Sequence, residues 1–267
     1  MVRINIFWTG GFDSTFRICQ LSLFDIEIQP FYIEVGRKSM TQELKAISRI
    51  TEYIINKDTT KCKLLPLRII NSKEILPDKR ITDSFKVIYN AARIGTQYDW
   101  LARFAHQMNM KLELGFEYIP VGNRVDTYIE SNGKYKEESI MTRDGKIEYI
   151  EIDTSQTSDD VNNVFGAFRF GLPLRKMTKL ETLDTYKKMG FEEVVPMTWF
   201  CAHPVFGMPC GLCNPCETVM KANMGFRMPG FSIVLYKLFK TNSFGKYLSD
   251  NLKKYYNNYF RKTYKLS

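Results

Sequence analysis

Residues 7–16 read Phe-Trp-Thr-Gly-Gly-Phe-Asp-Ser-Thr-Phe, and residues 201–216 hold four cysteines with gaps of eight, two and two. Each group has the residue types for a particular chemistry. A bound phosphate needs backbone N–H groups aimed at it, and a helix N-terminus supplies them. Gly10 and Gly11 remove side chains from the approach and permit the positive φ of an anion nest, with Phe12 following as a backbone donor. Thr9, Ser14 and Thr15 add hydroxyls. Asp13 is the odd member, because a carboxylate repels phosphate. Two effects reconcile it: the helix dipole favours an acid in the first turn, and Mg²⁺ can bridge it to a pyrophosphate. No lysine follows the glycines, so this is neither G-x-x-x-x-G-K-[ST] nor G-x-G-x-x-G. Cys201, Cys210, Cys213 and Cys216 offer the four thiolates that tetrahedral Zn²⁺ prefers. They leave no open position, so the expected site is structural. His203 could substitute for one of them, and an iron–sulfur cluster is the competing reading. Cys19 and Cys62 stand alone.

These groups need a scaffold. The run 3–8 reads as a short buried strand and 13–24 as a helix. A second strand spans 26–36, irregular at Pro30. An amphipathic helix covers 41–57, with Leu44, Ile47, Ile50, Tyr53 and Ile54 at helical spacing. A third strand covers 63–70, a helix 96–110 and a fourth strand 111–116. Strands alternating with helices predict an α/β fold with a Rossmann-like parallel sheet, whose ligands sit at the strands' carboxyl ends. From 117 to 155 the pattern changes. Turn signals at 131–134 and 143–146 separate the segments DTYIE, KYKEESIM and IEYIEI, which predict an inserted β-hairpin or meander covering the substrate or decorating the surface. Short helices follow: one capped by Ser158, one capped by Thr178 and stopped by Gly190. The organisation expected is a nucleotide-binding core at 1–116, the hairpin insert at 117–155, a helical and four-cysteine segment at 156–230, and a basic aromatic helical tail at 231–267.

The strand, then T-G-G-x-D-S-T, then a helix resembles the S-G-G-x-D-S signature of the PP-loop ATP pyrophosphatases, with Thr9 for the first Ser. The resemblance implies an adenine nucleotide alpha hydrolase type of fold. It also implies cleavage of ATP between the α- and β-phosphates. The loop would hold the pyrophosphate through Thr9–Thr15, with Asp13 and Ser14 catalytic, and ATP and Mg²⁺ would be required. Together with TWFC (198–201) and CGLCNPC (210–216), the loop resembles one such family, the 7-cyano-7-deazaguanine synthases of queuosine-precursor synthesis. LPLRKMTKLETLDTYKKMG looks like that family's Pro-Leu stretch and following helix. The match covers about half the chain.

The implied reaction adenylates 7-carboxy-7-deazaguanine or a related acid, and ammonia or another amine then displaces AMP to give an amide or nitrile. The family's Arg-Asn pair and its Tyr-Pro-Asp-Cys-Arg stretch have no counterpart here, where ARIGTQYDWLARFA and VGNRVDTY stand instead. Arg93, Arg124, Arg169 and Arg175 are candidates to contact a carboxylate or phosphate. The alternatives are a PP-loop enzyme that modifies tRNA by base adenylation, and a non-catalytic, zinc-stabilised nucleotide-binding protein.

The net charge of +9 is concentrated at the end of the chain. From Phe231 onward there are eight Lys/Arg and one acid, leaving the first 230 residues at +2. A near-neutral body disfavours a nucleic-acid groove. The tail places Leu248, Leu252, Tyr255, Tyr256 and Tyr259 on one helical face, the hint of a homo-oligomer interface. No apolar run is long enough to span a bilayer, and MVRINIFW lacks signal-peptide features, so the expectation is a cytoplasmic protein without membrane association.

Overall fold

The structure is a computed structural model that describes residues 1–115 and 124–241. The chain runs β1 (Arg3–Phe7), α1 (Phe12–Leu21), β2 (Glu27–Glu34), α2 (Met40–Ile55), β3 (Lys63–Leu64), β4 (Arg68–Asn71), α3 (Lys79–Ala92), α4 (Gln97–Gln107) and β5 (Leu112–Leu114). Then come α5 (Arg124–Asn132), β6 (Tyr135–Thr142), β7 (Gly145–Ile152), α6 (Asp159–Phe165), β8 (Phe168–Gly171), α7 (Lys179–Lys188), α8 (Asn214–Lys221) and α9 (Gly230–Tyr236). Contacts divide the chain into two compact units. The first is Met1–Gly36 with Glu43–Trp199, and the second is Arg37–Gln42 with Phe200–Ser267.

The first unit is α/β with a mostly parallel central sheet. Among the described residues its strand order is β3-β2-β1-β5-β8-β7-β6, with β4 also pairing β2. β2 to β1, β1 to β5 and β5 to β8 are parallel; β8 to β7 and β7 to β6 are antiparallel. The order reverses between β1 and β5: the chain builds outward from β1 through β2, then returns to β1's other side. This is the topological switch of a doubly wound sheet, where a crevice opens beyond the carboxyl ends of the strands.

Residue alternation explains the two faces. Phe31 and Ile33 of β2, Leu112 and Leu114 of β5, and Phe168 and Phe170 of β8 join the main apolar cluster. That cluster also takes Ile81, Phe85 and Ile88 of α3, Leu101 and Phe104 of α4, and Val161 and Phe165 of α6. The alternate residues point the other way. Ile4 and Ile6 are buried there, Tyr32 donates to Glu43 of α2 at 2.7 Å, and Glu113 meets Arg17 of α1. Arg17 is buried and fully engaged. It pairs with Glu113 and donates to the Leu172 carbonyl (2.8 Å), the Glu148 carbonyl (3.2 Å) and Gln20 (2.6 Å). It thereby ties α1 to three successive strands.

Several expectations change. The strand expected at 63–70 is two short ones, β3 and β4, both on β2. Pro66 lies between them and has no N–H for a ladder. DTYIE, expected as a strand, is part of α5, whose buried residues Val125 and Ile129 are one helical turn apart. KYKEESIM and IEYIEI do form an antiparallel hairpin, β6–β7, and β7 pairs with β8, so the hairpin extends the central sheet. α3 and β8 have no counterpart in the sequence reading. α3 is capped by Asp78, whose side chain accepts from Ile81 N at 3.1 Å. The helix expected at 178–190 carries a full capping box between Thr178 and Glu181. No helix among the described residues is long and apolar enough to cross a membrane. Residues 117–123 of the expected insert, and residues 242–267 of the expected tail with their Leu/Tyr face, lie outside the described residues.

Candidate functional site

The glycine loop sits at the switch point. β1 ends at Phe7, Thr9–Gly11 form the turn and α1 starts at Phe12. Gly10 has φ 68, and a Cβ there would stand 3.0 Å from the Glu43 carbonyl and 3.2 Å from Ala46 Cβ of α2. Only glycine combines that φ with that approach. Gly10's carbonyl accepts from Trp199 N at 2.8 Å, which holds the turn from outside. Gly11 is the N-cap of α1 in an extended conformation, with no side-chain cap. The first intrahelical bond is Thr15 N to Gly11 O at 3.0 Å. The amides of the first turn precede that bond, so they need partners from elsewhere. On the β5 side, Gly115 passes so close to α1 that a Cβ would lie 2.5 Å from Ser14 Cα. The two strand exits therefore meet at Ser14.

The structure sorts the predicted loop residues. Thr9 and Gly11 are half-buried at the turn, and Asp13 is half-buried on the first turn of α1. Ser14 is buried, with its hydroxyl 3.4 Å from the Gly11 carbonyl. Phe12 is buried, and its carbonyl accepts from Tyr186 OH at 2.7 Å. Thr15 turns inward: it is fully buried and its Oγ1 accepts from the Trp8 indole N–H at 2.9 Å. Its hydroxyl holds β1 to α1 and does not line the turn.

Asp13 has a partner that the sequence reading did not assign. Lys179 Nζ donates to both its carboxylate oxygens, at 2.6 and 2.8 Å, and lies 5.1 Å from the Phe12 ring centre. So the loop has a cation, supplied from the first position of α7 and not from within the motif. Its signal in the sequence was the Thr178 cap, which places residue 179 at a helix start without saying what it faces. Asp13 was expected to work through the helix dipole and Mg²⁺; in the structure its charge is balanced by this lysine.

Among the described side chains, those of the candidate arginines Arg93, Arg124 and Arg169 make no hydrogen bond or ion pair with the loop. Arg93 is exposed, with φ 52, and stacks over Tyr89; Arg124 is exposed at the start of α5. Arg169 stands over the Tyr149 ring, 4.5 Å from its centre, and faces Glu151 at 3.7 Å. The side chain of Arg175 lies outside the described residues. Glu151 also meets Lys111 (3.4 Å) and Lys136 (3.1 Å). Burial pushes its carboxyl up, but the hydrogen bond from Lys136 and the charge of Lys111 outweigh that and hold it below the usual range.

In the second unit the four cysteines converge, and their Sγ atoms all lie within 4.8 Å of one another. The Sγ–Sγ separations are 3.4 Å for Cys213–Cys216, 3.8 Å for Cys201–Cys213 and 3.9 Å for Cys210–Cys216. A tetrahedron of thiolates around one Zn²⁺, with Zn–S of about 2.3 Å, has sulfurs about 3.8 Å apart. The cluster has that size, whereas an iron–sulfur cluster places several irons between its thiolates and needs a wider spread. No cysteine is disulfide-bonded. Backbone amides already point at sulfur: Cys210 N at Cys201 Sγ (3.2 Å), and Leu212 N and Cys213 N at Cys210 Sγ (3.4 Å each). Such amides stabilise thiolates. The group can hold a metal ion with all four positions filled. His203 is not needed.

Compared with known proteins, the chain matches no protein-family model and no curated sequence.

Proposed function

We propose that the protein is an ATP-dependent, AMP- and pyrophosphate-forming enzyme that activates a carboxylate for attack by ammonia or another amine. 7-Carboxy-7-deazaguanine or a related acid is the substrate in this reading, and a zinc ion in the cysteine cluster is structural. The observation that carries the proposal is T-G-G-F-D-S-T seated at the switch point of a parallel sheet and leading into α1. The fold type is then the adenine nucleotide alpha hydrolase one, and the loop is a PP-loop.

The residues have distinct tasks. First-turn amides of α1 and the helix dipole bind the β- and γ-phosphates as they leave. Gly10 and Gly11 let the phosphates approach the backbone, and Thr9 and Ser14 offer hydroxyls. Lys179 moves from Asp13 to phosphate as charge develops, a shift of one partner for another within the same turn. Asp13 keeps that ammonium positioned when no phosphate is present. When bound, Mg²⁺ would neutralise phosphate charge, with Asp13 as its ligand once Lys179 has moved. No side-chain nucleophile is required, because holding the acid in line with the α-phosphate supplies much of the rate.

The test is pyrophosphate release from ATP with 7-carboxy-7-deazaguanine and ammonia, with the product identified by mass. The expected result is acid-dependent AMP and pyrophosphate in equal amounts, with an amide or nitrile. Turnover with tRNA and none with the acid would replace this reading by base adenylation. Absence of any ATP cleavage, alike in wild type and Asp13→Ala, would leave a nucleotide-binding protein.

A further inference from the structure

A cleft of about 620 Å³ opens at the far end of α2 in the first unit. Arg49, Glu52 and Tyr53 line it from the last turns of the helix, Lys57 and Asp58 from just beyond it, and Met197 from the segment before Trp199. That volume is typical of a small-molecule site. The cleft is separate from the glycine loop, which meets α2 near its start, at Glu43, Ala46 and Ile47.

Two cations and two carboxylates line this one space, and among the described residues none of the four makes an ion pair. Spacing does not forbid one. Arg49 and Glu52 stand three apart on a helix, as do Asp83 and Lys86 of α3, which pair at 2.9 Å. Lys61 and Lys63, just downstream, pair with Asp144 and Glu27. Lys57 is held in another way. Its ammonium stands 5.5 Å from the centre of the Tyr53 ring and 5.2 Å from that of the buried Phe191 ring. The two rings fix the cation at the wall of the cleft and supply no counter-charge.

We propose that this cleft binds a free α-amino acid with an apolar side chain. The α-carboxylate meets Lys57 and Arg49, the α-ammonium meets Glu52 and Asp58, and the side chain lies against Tyr53 and Met197. The charge pattern selects this class of ligand. Two cations alone would suit a phosphate or a simple carboxylate, and two carboxylates alone a metal ion or a polyamine. With both signs present in equal number, a ligand of one charge leaves the other pair of protein groups unmatched, and a nucleotide phosphate meets Glu52 and Asp58 as repulsive neighbours. The site does not depend on the activation reaction.

The experiment is calorimetric titration of the full chain with L-leucine and with its two half-analogues, 4-methylpentanoate and 3-methylbutylamine. Each keeps the branched side chain and lacks one of the two charges. Leucine should bind saturably, one per chain, and each half-analogue should bind roughly tenfold or more weakly than leucine. Lys57→Met, which keeps an apolar contact with both rings, should weaken leucine binding by roughly tenfold. Glu52→Gln with Asp58→Asn should do the same, and because both side chains are exposed, circular dichroism should not change. Absence of saturable leucine binding would overturn the proposal, as would a half-analogue that binds as tightly as leucine. So would wild-type affinity for leucine in the Glu52→Gln, Asp58→Asn variant.

Discussion

Lys179 changes what the loop can do. Its ammonium reaches Asp13 from 166 residues away, so the motif that lacks a lysine in sequence has one in space. The pair is partly exposed, at 20 and 26% for the two side chains, and such a pair contributes about 1 kcal/mol or less to stability. Lys179→Ala should therefore leave the melting temperature almost unchanged. If Lys179 takes up phosphate charge, the same substitution should lower pyrophosphate release by about 100-fold. Calorimetry and turnover on one preparation separate the two effects. A variant that loses stability and keeps its rate would make Lys179 a structural residue. Thr15 shows the opposite shift: it belongs to the motif, but the Trp8 indole takes its hydroxyl into the core.

At the scale of elements, one ion pair organises the sheet's second face. Arg17 is 1% exposed and Glu113 is 2% exposed. A Cβ on Gly171 would overlap the guanidinium, so glycine makes room for Arg17 to cross β8. Removing one partner of a buried pair strands the other charge. Arg17→Met should cost about 3–5 kcal/mol in urea unfolding. Glu113→Leu added to it should recover much of that loss, though not the bonds to the Leu172 and Glu148 carbonyls. If the double variant is no more stable than the single one, the charge is not the main term. The elements themselves were legible where a period ran long enough. α2 showed its apolar face at helical spacing, and α7 its cap at Thr178 and its stop at Gly190. α5 did not read correctly, because DTYIE was taken as a five-residue strand and the Val125–Ile129 spacing that marks the helix starts one residue before it.

At the scale of the whole molecule, the two units differ in what holds them. The first has a large apolar core on both faces of its sheet. Among the described residues, the second buries as apolar groups only Cys201, Cys210, Cys216, Val219, Met224 and Met228. Half of those are metal-ligand candidates. The four thiolates can close on one metal ion, and a Zn²⁺ held there would add folding free energy to this small described core. Metal analysis should find one zinc per chain. Chelation should then expose sites after residue 200 to protease, while the first unit stays resistant. Protection that survives complete metal removal would show that the cluster is not what holds the second unit.

The sequence by itself determined the local features. Two glycines after a strand, cysteine gaps of eight, two and two, and a Thr178–Glu181 box act within a few residues, where backbone geometry decides the outcome. Tertiary structure alone decided what faces what: Lys179 on Asp13, Gly115 against Ser14, Arg17 across Gly171, and an outward apolar stripe on α9. Each of the first three joins residues far apart in the chain, and the last depends on which helical face the rest of the unit covers. Periodicity shows that a helix has an apolar face. Only packing determines whether that face is buried.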